Sequence, residues 1–327
     1  QTKLYRQYKC IHEQSPEFGY KRIAKLLDQP YAKTRWWHAK KYVPYPVQTV
    51  EWLKEKNILP LTKDNPKVKL VARILGAIFG DGGIFGNLNG IFLSSAELPA
   101  VKEFGEDLKK IFGEEIGKNE RIIEAGEYGH SWCYQNTNRN VIRFFKALGA
   151  PIGDKSLIPL DVPEWVKEAD EAIRDEFFGS FFGGEIGIPK VHIDRNRLDL
   201  FSLGITGTDQ FAENRMEFLQ EIAEYLNKKT IKTGKISIND HKKENRAGIP
   251  TKIYRLLIST EFENVTNFIT LTTMRYCKYK HEKLLKTMNE FSAIKRQRFE
   301  DLLTSGYSEN AAATLLKLSP VALEIIE

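Results

Sequence analysis

The sequence predicts an α+β protein built from two copies of an αββαββα unit related by a pseudo-two-fold, with a small all-helical module at each end. Three observations predict it. The order of helical and strand-like stretches runs once through residues 67–163 and again through 164–294. The first helix of each copy is apolar, rich in small residues and ended by an acid. The excess positive charge is confined to the first 66 residues.

Residues 1–66 carry 13 Lys/Arg against 6 Asp/Glu, a net of +7, whereas the remainder holds 36 basic and 37 acidic residues. A basic segment of this kind suits a polyanionic partner. Ile23, Leu26 and Leu27 give an amphipathic helix over 16–28. A turn at Gln29-Pro30 leads to a second helix over 31–41, closed by Pro44 and Pro46, and a third helix covers 48–59. The second helix is dense in Lys33, Arg35, His38, Lys40 and Lys41, as in a DNA-binding helix-turn-helix. A small helical cap with Trp36 and Trp37 as its core gives the same pattern. Residues 60–67 read as a linker.

In the first unit an apolar helix (KLVARILGAIF) is followed by two strands within 84–95. A helix over 96–112, strands within 120–137 and a helix over 140–149 complete it. The second unit repeats this order: a helix over 173–185, strands near 186–194 and 198–206, and a helix over 209–227. Strands near 231–239 and 252–260 and a helix over 263–273 come next. Residues 295–327 form a helix-turn-helix-like segment, with Ser308 and Ser319 as N-caps. It lacks basic residues on its second helix, so packing competes with DNA contact as its role.

Glycine inside a helix costs about 1 kcal/mol against alanine. Yet the two lead helices hold Gly76 and Gly80, and Gly179, Gly183 and Gly184. The pairs Gly76/Gly80 and Ser180/Gly184 stand four residues apart, so each helix offers a small-residue stripe for packing backbone against backbone. Each helix ends in a carboxylate, Asp81 and Glu185, 104 residues apart. An acid there faces the negative end of the helix dipole, and two such acids side by side repel each other. Bound cations offset both costs, and hard oxygen ligands favour Mg²⁺, with Mn²⁺ as a substitute.

ILGAIFGDG at 74–82 and FGSFFGGEI at 178–186, each followed by ββαββα, resemble the LAGLIDADG homing-endonuclease family. The first motif is a good match. The second is degenerate, with Ser180 for the signature glycine and Ile186 for the final one. The resemblance covers residues 67–290 and implies a saddle of two antiparallel four-stranded sheets straddling duplex DNA. It implies Asp81 and Glu185 as metal ligands over the minor groove, with Gly80 and Gly184 in the metal set. It also implies basic residues beside them, Lys155 and Lys280, with Lys278 as a rival to the latter. The strands would read the major groove. Candidates in the first half are Gln135, Thr137 and Arg139. In the second half they are Lys190, His192, Asp194, Arg195 and Arg197, then Lys235, Ser237, Asn239, Lys252, Tyr254 and Arg255. A sheet with one face in water shows the same alternation.

Composition closes off other classes. No apolar run nears the ~18 residues that span a bilayer, and no signal peptide is expected. Cys10, Cys133 and Cys277 lie far apart without a CxxC pair, which argues against a zinc site or a disulfide scaffold. The expected setting is cytoplasmic, with access to DNA. Splicing-type residues are missing at both ends, so a complete intein is not expected. The reading is therefore a Mg²⁺-dependent, site-specific double-stranded DNA endonuclease, a monomer acting as a pseudo-dimer on a long site. The alternative is a cleavage-inactive DNA-binding regulator or RNA-splicing maturase on the same fold.

Overall fold

The computed structural model describes residues 1–125, 130–320 and 322–323. The first 66 residues form four helices rather than the three expected: α1 (Thr2–Gln14), α2 (Tyr20–Leu26), α3 (Tyr31–Ala39) and α4 (Tyr45–Glu55). Helix α1 escapes the sequence reading because it is largely polar and buries only Tyr5 and Tyr8. Those two rings join Ile23, Trp37 and Val47 in a small core of their own. Tyr5 meets Trp37 edge-on, with ring centres 5.5 Å apart. Helix α4 ties this module to the next unit: Leu53 enters the main core, and Trp52 stacks on Phe112 at 5.4 Å.

The first unit contains α5 (Val68–Phe79), β1 (Gly82–Ile84), β2 (Ile91–Ser95), α6 (Leu98–Phe112), β3 (Glu120–Ala125), β4 (Ser131–Asn136) and α7 (Arg139–Ala147). A short helix, α8 (Glu164–Lys167), lies in the connection. The second unit opens with α9 (Glu171–Glu185), β5 (Ile186–Gly187), β6 (Val191–His192), β7 (Arg197–Leu198) and β8 (Ser202–Gly207). It continues with α10 (Ala212–Lys228), β9 (Thr233–Glu244), β10 (Pro250–Ile258) and α11 (Phe262–Leu271). Each unit has a four-stranded antiparallel sheet, in the order β1-β2-β4-β3 and β5-β8-β10-β9. The duplication read from the sequence is therefore present in the strand order as well.

Helices cover one face of each sheet. Val101, Phe104, Leu108, Ile111 and Phe112 of α6 recur at three- and four-residue spacing and are buried. Phe104 meets Tyr134 of β4 edge-on, with ring centres 5.6 Å apart. In the second unit Leu203, Ile205, Tyr254 and Leu256 share the core with Phe218, Leu219 and Ile222 of α10.

Two expectations shift. The stretch 186–206 does not make two long strands of the main sheet. Strands β6 and β7 form a separate two-stranded hairpin, because its residues are mostly polar and only Leu198 among the paired ones is buried. Arg298 holds this hairpin, donating to the Ile193 carbonyl at 2.6 Å. At the C-terminus, α12 (Lys278–Thr304) runs unbroken across the expected boundary at 294/295, fixed by buried Leu284, Met288, Phe291 and Phe299. Helix α13 (Glu309–Leu316) comes next, with Ser308 Oγ accepting from the Ala311 N–H at 3.3 Å. Ser319 accepts likewise from Ala322 at 3.1 Å. The last part of the expected C-terminal segment, 324–327, lies outside the described residues. No helix among the described residues is long and apolar enough to cross a membrane.

Candidate active site at the helix pair

Helices α5 and α9 pack backbone to backbone. A Cβ at Gly76 would sit 2.0 Å from the Phe177 carbonyl oxygen, so nothing larger than glycine fits there. One turn on, the helices are still close: a Cβ at Gly80 would stand 3.8 Å from Gly184 Cα. The small residues of α9 serve two neighbours. Gly184 faces α5, whereas Gly179 and Gly183 press on Thr273 and on the Arg275 carbonyl. Ser180 is buried, and its hydroxyl lacks a hydrogen-bond partner.

This packing brings the two acids to one place. Glu185 is the last residue of α9, and Asp81 follows the C-cap of α5. A Cβ on Gly184, the residue before Glu185, would lie 3.3 Å from Asp81 Oδ2. Two lysines close the helix ends. Lys155 Nζ donates to the carbonyls of Ile78 and Phe79, both at 3.0 Å, and to that of Gly80. Lys280 Nζ donates to the carbonyl of Gly184. Each ammonium thus satisfies orphan carbonyls at a helix C-terminus and opposes the dipole there. Lys278 pairs instead with Glu103 at 3.2 Å, so Lys280 is the second-half lysine at the acids.

The electrostatics cross between halves. Burial pushes Glu185 up to about 7, Asp81 adds to the rise, and Lys155 leads the opposing charges. Asp81 is also raised, first by burial, with Lys280 the larger and Lys155 the smaller opposing charge. Burial lowers Lys155, and Glu185 is its main counter-charge. Each acid is therefore answered chiefly by the lysine of the other half.

The backbone of Lys155 is held by the second unit as well. Fully buried Arg215 of α10 donates to the Lys155 carbonyl at 2.5 Å and to that of Ile158 at 2.8 Å. Asp154 Oδ1 accepts from the Ser156 N–H at 2.8 Å. Behind the helix pair, Glu176 of α9 accepts from Arg73 Nε at 2.7 Å and from Arg275 Nη2 at 2.7 Å. Asp107 accepts from Arg73 at 3.0 Å and from the Tyr276 hydroxyl at 2.8 Å. Arg215, Arg275 and Tyr276 make these buried or half-buried links, and the sequence reading missed them. A buried arginine reads from sequence like a surface one.

The donor set suits a hard divalent cation: two carboxylates and the carbonyls of Gly80 and Gly184 are all oxygen. The carboxylate pair, both members raised by burial, is the kind of site such a charge relieves. No cluster of three or more Asp, Glu, His or Cys that could hold a metal occurs among the described residues. The remaining ligands would have to come from backbone, water or substrate.

The remaining candidates are scattered. Gln135 lies on β4 opposite Phe92 and Arg121 and accepts from Arg121 at 2.6 and 2.8 Å. Gln135 is itself buried, so exposed Arg121 replaces it as the candidate at this place, and no alternation along β3 announced it. Arg139 is not on a strand: it opens α7 and donates to the Leu88 carbonyl and Asn89 Oδ1 at 2.5 and 2.7 Å, bracing the β1–β2 loop. Thr137 follows β4, its N–H donating to Asn119. Lys190, His192, Asp194, Arg195 and Arg197 belong to the hairpin region apart from the main sheet, and His192 lies 3.3 Å from Asp199. Lys235, Ser237, Asn239 and Arg255 share the sheet face that Gly204 and Thr206 also occupy. Lys252 and Tyr254 do not. Tyr254 is fully buried, and Lys252, two residues away on the same side, pairs with Asp209 at 2.7 Å.

In the N-terminal module, Arg35, Lys40 and Lys41 are exposed. Lys33 instead donates to Gln29 at 2.9 Å, with its ammonium 5.5 Å from the Trp37 ring. His38 turns inward against His12 of α1, with ring centres 5.0 Å apart.

No family model matches the chain. It is 29% identical over 222 residues to the DNA-directed RNA polymerase subunit Rpo1N of Methanocaldococcus jannaschii, a match covering 64% of this chain and 16% of that protein. It is 29% identical over 242 residues to the tRNA-splicing ligase RtcB of Pyrococcus furiosus, covering 70% and 23%. With the replication factor C small subunit of M. jannaschii the identity is 23% over 274 residues, covering 82% and 14%. The chain thus spans less than a quarter of each relative's length. Among solved structures, mesophilic variants of the homing endonuclease I-DmoI align with a TM-score of 0.38 and 15% identity, over 63% of this chain and 89% of that one. The homing endonuclease I-WcaI bound to its DNA recognition sequence aligns with a TM-score of 0.37 and 16% identity, over 70% and 91%. In its two acid-ended motif helices and its paired αββαββα units, the chain resembles the LAGLIDADG homing endonucleases.

Proposed function

We propose that this chain is a site-specific endonuclease of double-stranded DNA, acting as a monomer with two pseudo-symmetric halves. One observation carries the reading: the helix pair holds two carboxylates together at matched C-termini, each answered by a lysine from the opposite half. An acid pair raised by burial is unfavourable for stability alone, and its cost is understandable as preparation for bound cations. Asp81 and Glu185, with the carbonyls of Gly80 and Gly184, would hold them. Bound Mg²⁺, or Mn²⁺ in its place, would supply Lewis-acid stabilisation of a scissile phosphate and an activated water.

The chain's own residues have separable tasks. Asp81 and Glu185 must be ionised to bind, which for Glu185 sets a requirement near neutral pH. Lys155 and Lys280 keep the helix ends closed and place positive charge where a phosphodiester approaches. Arg215 fixes the turn that carries Lys155. Arg121, Lys235, Asn239 and Arg255 are offered as sheet contacts to the duplex, with buried Gln135 holding Arg121 in place.

The relatives support a mobile origin. Their named activities are transcription, RNA ligation and replication, yet each shares with this chain a segment that is a minor part of its length. A segment recurring in hosts without a common task behaves as an insert, which fits homing of the intein type.

The test is incubation of the full chain with fragmented genomic DNA of its source and Mg²⁺, and sequencing of new ends, beside Asp81→Ala and Glu185→Ala. Discrete staggered ends that vanish in both variants are expected. Binding with steep salt dependence but no cutting would overturn the endonuclease reading and leave a DNA-binding regulator.

A further inference from the structure

Helix α3 has nine residues, and its two sides differ sharply. Thr34 and Trp37 point into the small core. Tyr31, Ala32, Arg35, Trp36 and Ala39 recur at i, i+1, i+4, i+5 and i+8, which is one stripe of an α-helix. All five are exposed, Tyr31 by 55% and Trp36 by 58%. A solvated stripe is ordinarily polar, so two large rings, two alanines and one arginine on a short helix call for a partner.

The charge around the stripe identifies that partner. The module's net charge is +7, and exposed Lys40 and Lys41 sit at the end of α3. That combination suits a polyanion rather than another protein. The shape favours a duplex. A single helix fits the major groove, about 12 Å wide, and alanines let its backbone approach the base edges. Arginine can donate two hydrogen bonds to guanine, and apolar surface can meet thymine methyls. The Trp36 ring is also braced. Trp36 meets Tyr42 edge-on with centres 6.3 Å apart, and Tyr42 meets Tyr45 at 5.9 Å. The Arg143 guanidinium lies 4.9 Å from the centre of the Tyr45 ring. This ladder links α3 to α7 of the first unit, so the stripe has a set direction relative to that unit.

We propose that the Tyr31–Ala32–Arg35–Trp36–Ala39 face of α3 reads a short run of base pairs in the major groove of duplex DNA, flanking the stretch assigned to the sheets. The proposal rests on the duplex-DNA reading above but not on cutting. It replaces Lys33 and His38, which turn to the module's interior, with Tyr31 and Trp36 as readers. Lys40 and Lys41 would position the helix on phosphates.

The experiment is affinity selection by the full chain, in EDTA, from a pool of random-sequence duplexes, with sequencing of the bound fraction. Wild type is set beside Arg35→Ala, Trp36→Ala and Lys33→Ala, with circular dichroism checking the fold. Loss of base preference at a few adjacent pairs on one flank is expected for Arg35→Ala and Trp36→Ala. Affinity for the wild-type consensus should fall roughly tenfold, with the rest of the consensus intact and Lys33→Ala near wild type. Selection by the folded Arg35→Ala and Trp36→Ala variants that matches wild type would overturn the proposal. So would tighter binding of single-stranded RNA or DNA than of the selected duplex. A flank preference in a protein that never cuts would support this face while sinking the endonuclease reading. Cutting without any flank preference would do the reverse.

Discussion

At Glu185 burial and the Asp81 charge act in the same direction, and the carboxyl is pushed up to about 7 from an ordinary 4.5. Because the folded value exceeds the unfolded one, the folded chain binds the proton more tightly. The stability this contributes is complete below about pH 4.5 and is lost as pH rises through about 7. In EDTA, urea unfolding of wild type should therefore show stability falling across that window relative to Glu185→Gln, which has nothing to titrate. Mg²⁺ should restore wild-type stability at pH 8 and do much less for the variant, since a ligand held by the native state stabilises it. Identical pH slopes in the two proteins would rule this out. The acids were legible in the sequence because a carboxylate at the end of a glycine-rich apolar helix lacks an ordinary explanation, and here there are two. The individual sheet residues were much less legible. Along β10 a bulge between Thr251 and Lys252 disturbs the register, and polarity alone did not tell Lys252 from Arg255.

Among elements, the helix pair makes the sharpest demand. Replacing helical glycine by alanine usually stabilises a protein by about 1 kcal/mol. At Gly76 the new methyl would overlap the Phe177 carbonyl, so the sign reverses. Gly76→Ala should cost about 1–3 kcal/mol, the range for overpacked cores, in chemical denaturation. At Gly80 the nearest atom to an added Cβ is 3.5 Å away, and the same substitution should be nearly neutral for stability. Equal effects at the two positions would mean that the helices are not in contact as described. The i, i+4 spacing of small residues announced this packing. It did not reveal that Gly179 and Gly183 serve the 273–275 segment, because that neighbour lies about ninety residues along the chain. Helix α1 went unread for a related reason: its buried face is two tyrosines wide and only Trp37 makes sense of it.

Across the whole molecule, the halves are joined by charge as well as by packing. Glu176 and Asp107 bind Arg73, Arg275 and the Tyr276 hydroxyl, drawing on both units. Burial opposes the Arg73 charge, but its hydrogen bond to Glu176 and the surrounding negative charge outweigh that and hold its pKa above the ordinary value. Glu176→Gln would leave Arg275 facing a neutral amide and Arg73 with Asp107 alone. A loss of about 3 kcal/mol is expected, as when one member of a buried pair is removed, measurable by urea unfolding at pH 7. A loss indistinguishable from zero would mean that the network is decorative. None of this was readable in advance, since it depends on which charges the duplication folds inward.

The contact at Gly76 has a wider consequence. Because the two backbones touch without intervening side chains, the joint has no compressible padding, and the two sheets hang from it like the jaws of a caliper locked at one opening. Under the function proposed above, the side chains on the jaws decide which base pairs are met. The spacing between the jaws is a separate matter, fixed by a backbone contact that leaves no room for a Cβ at Gly76.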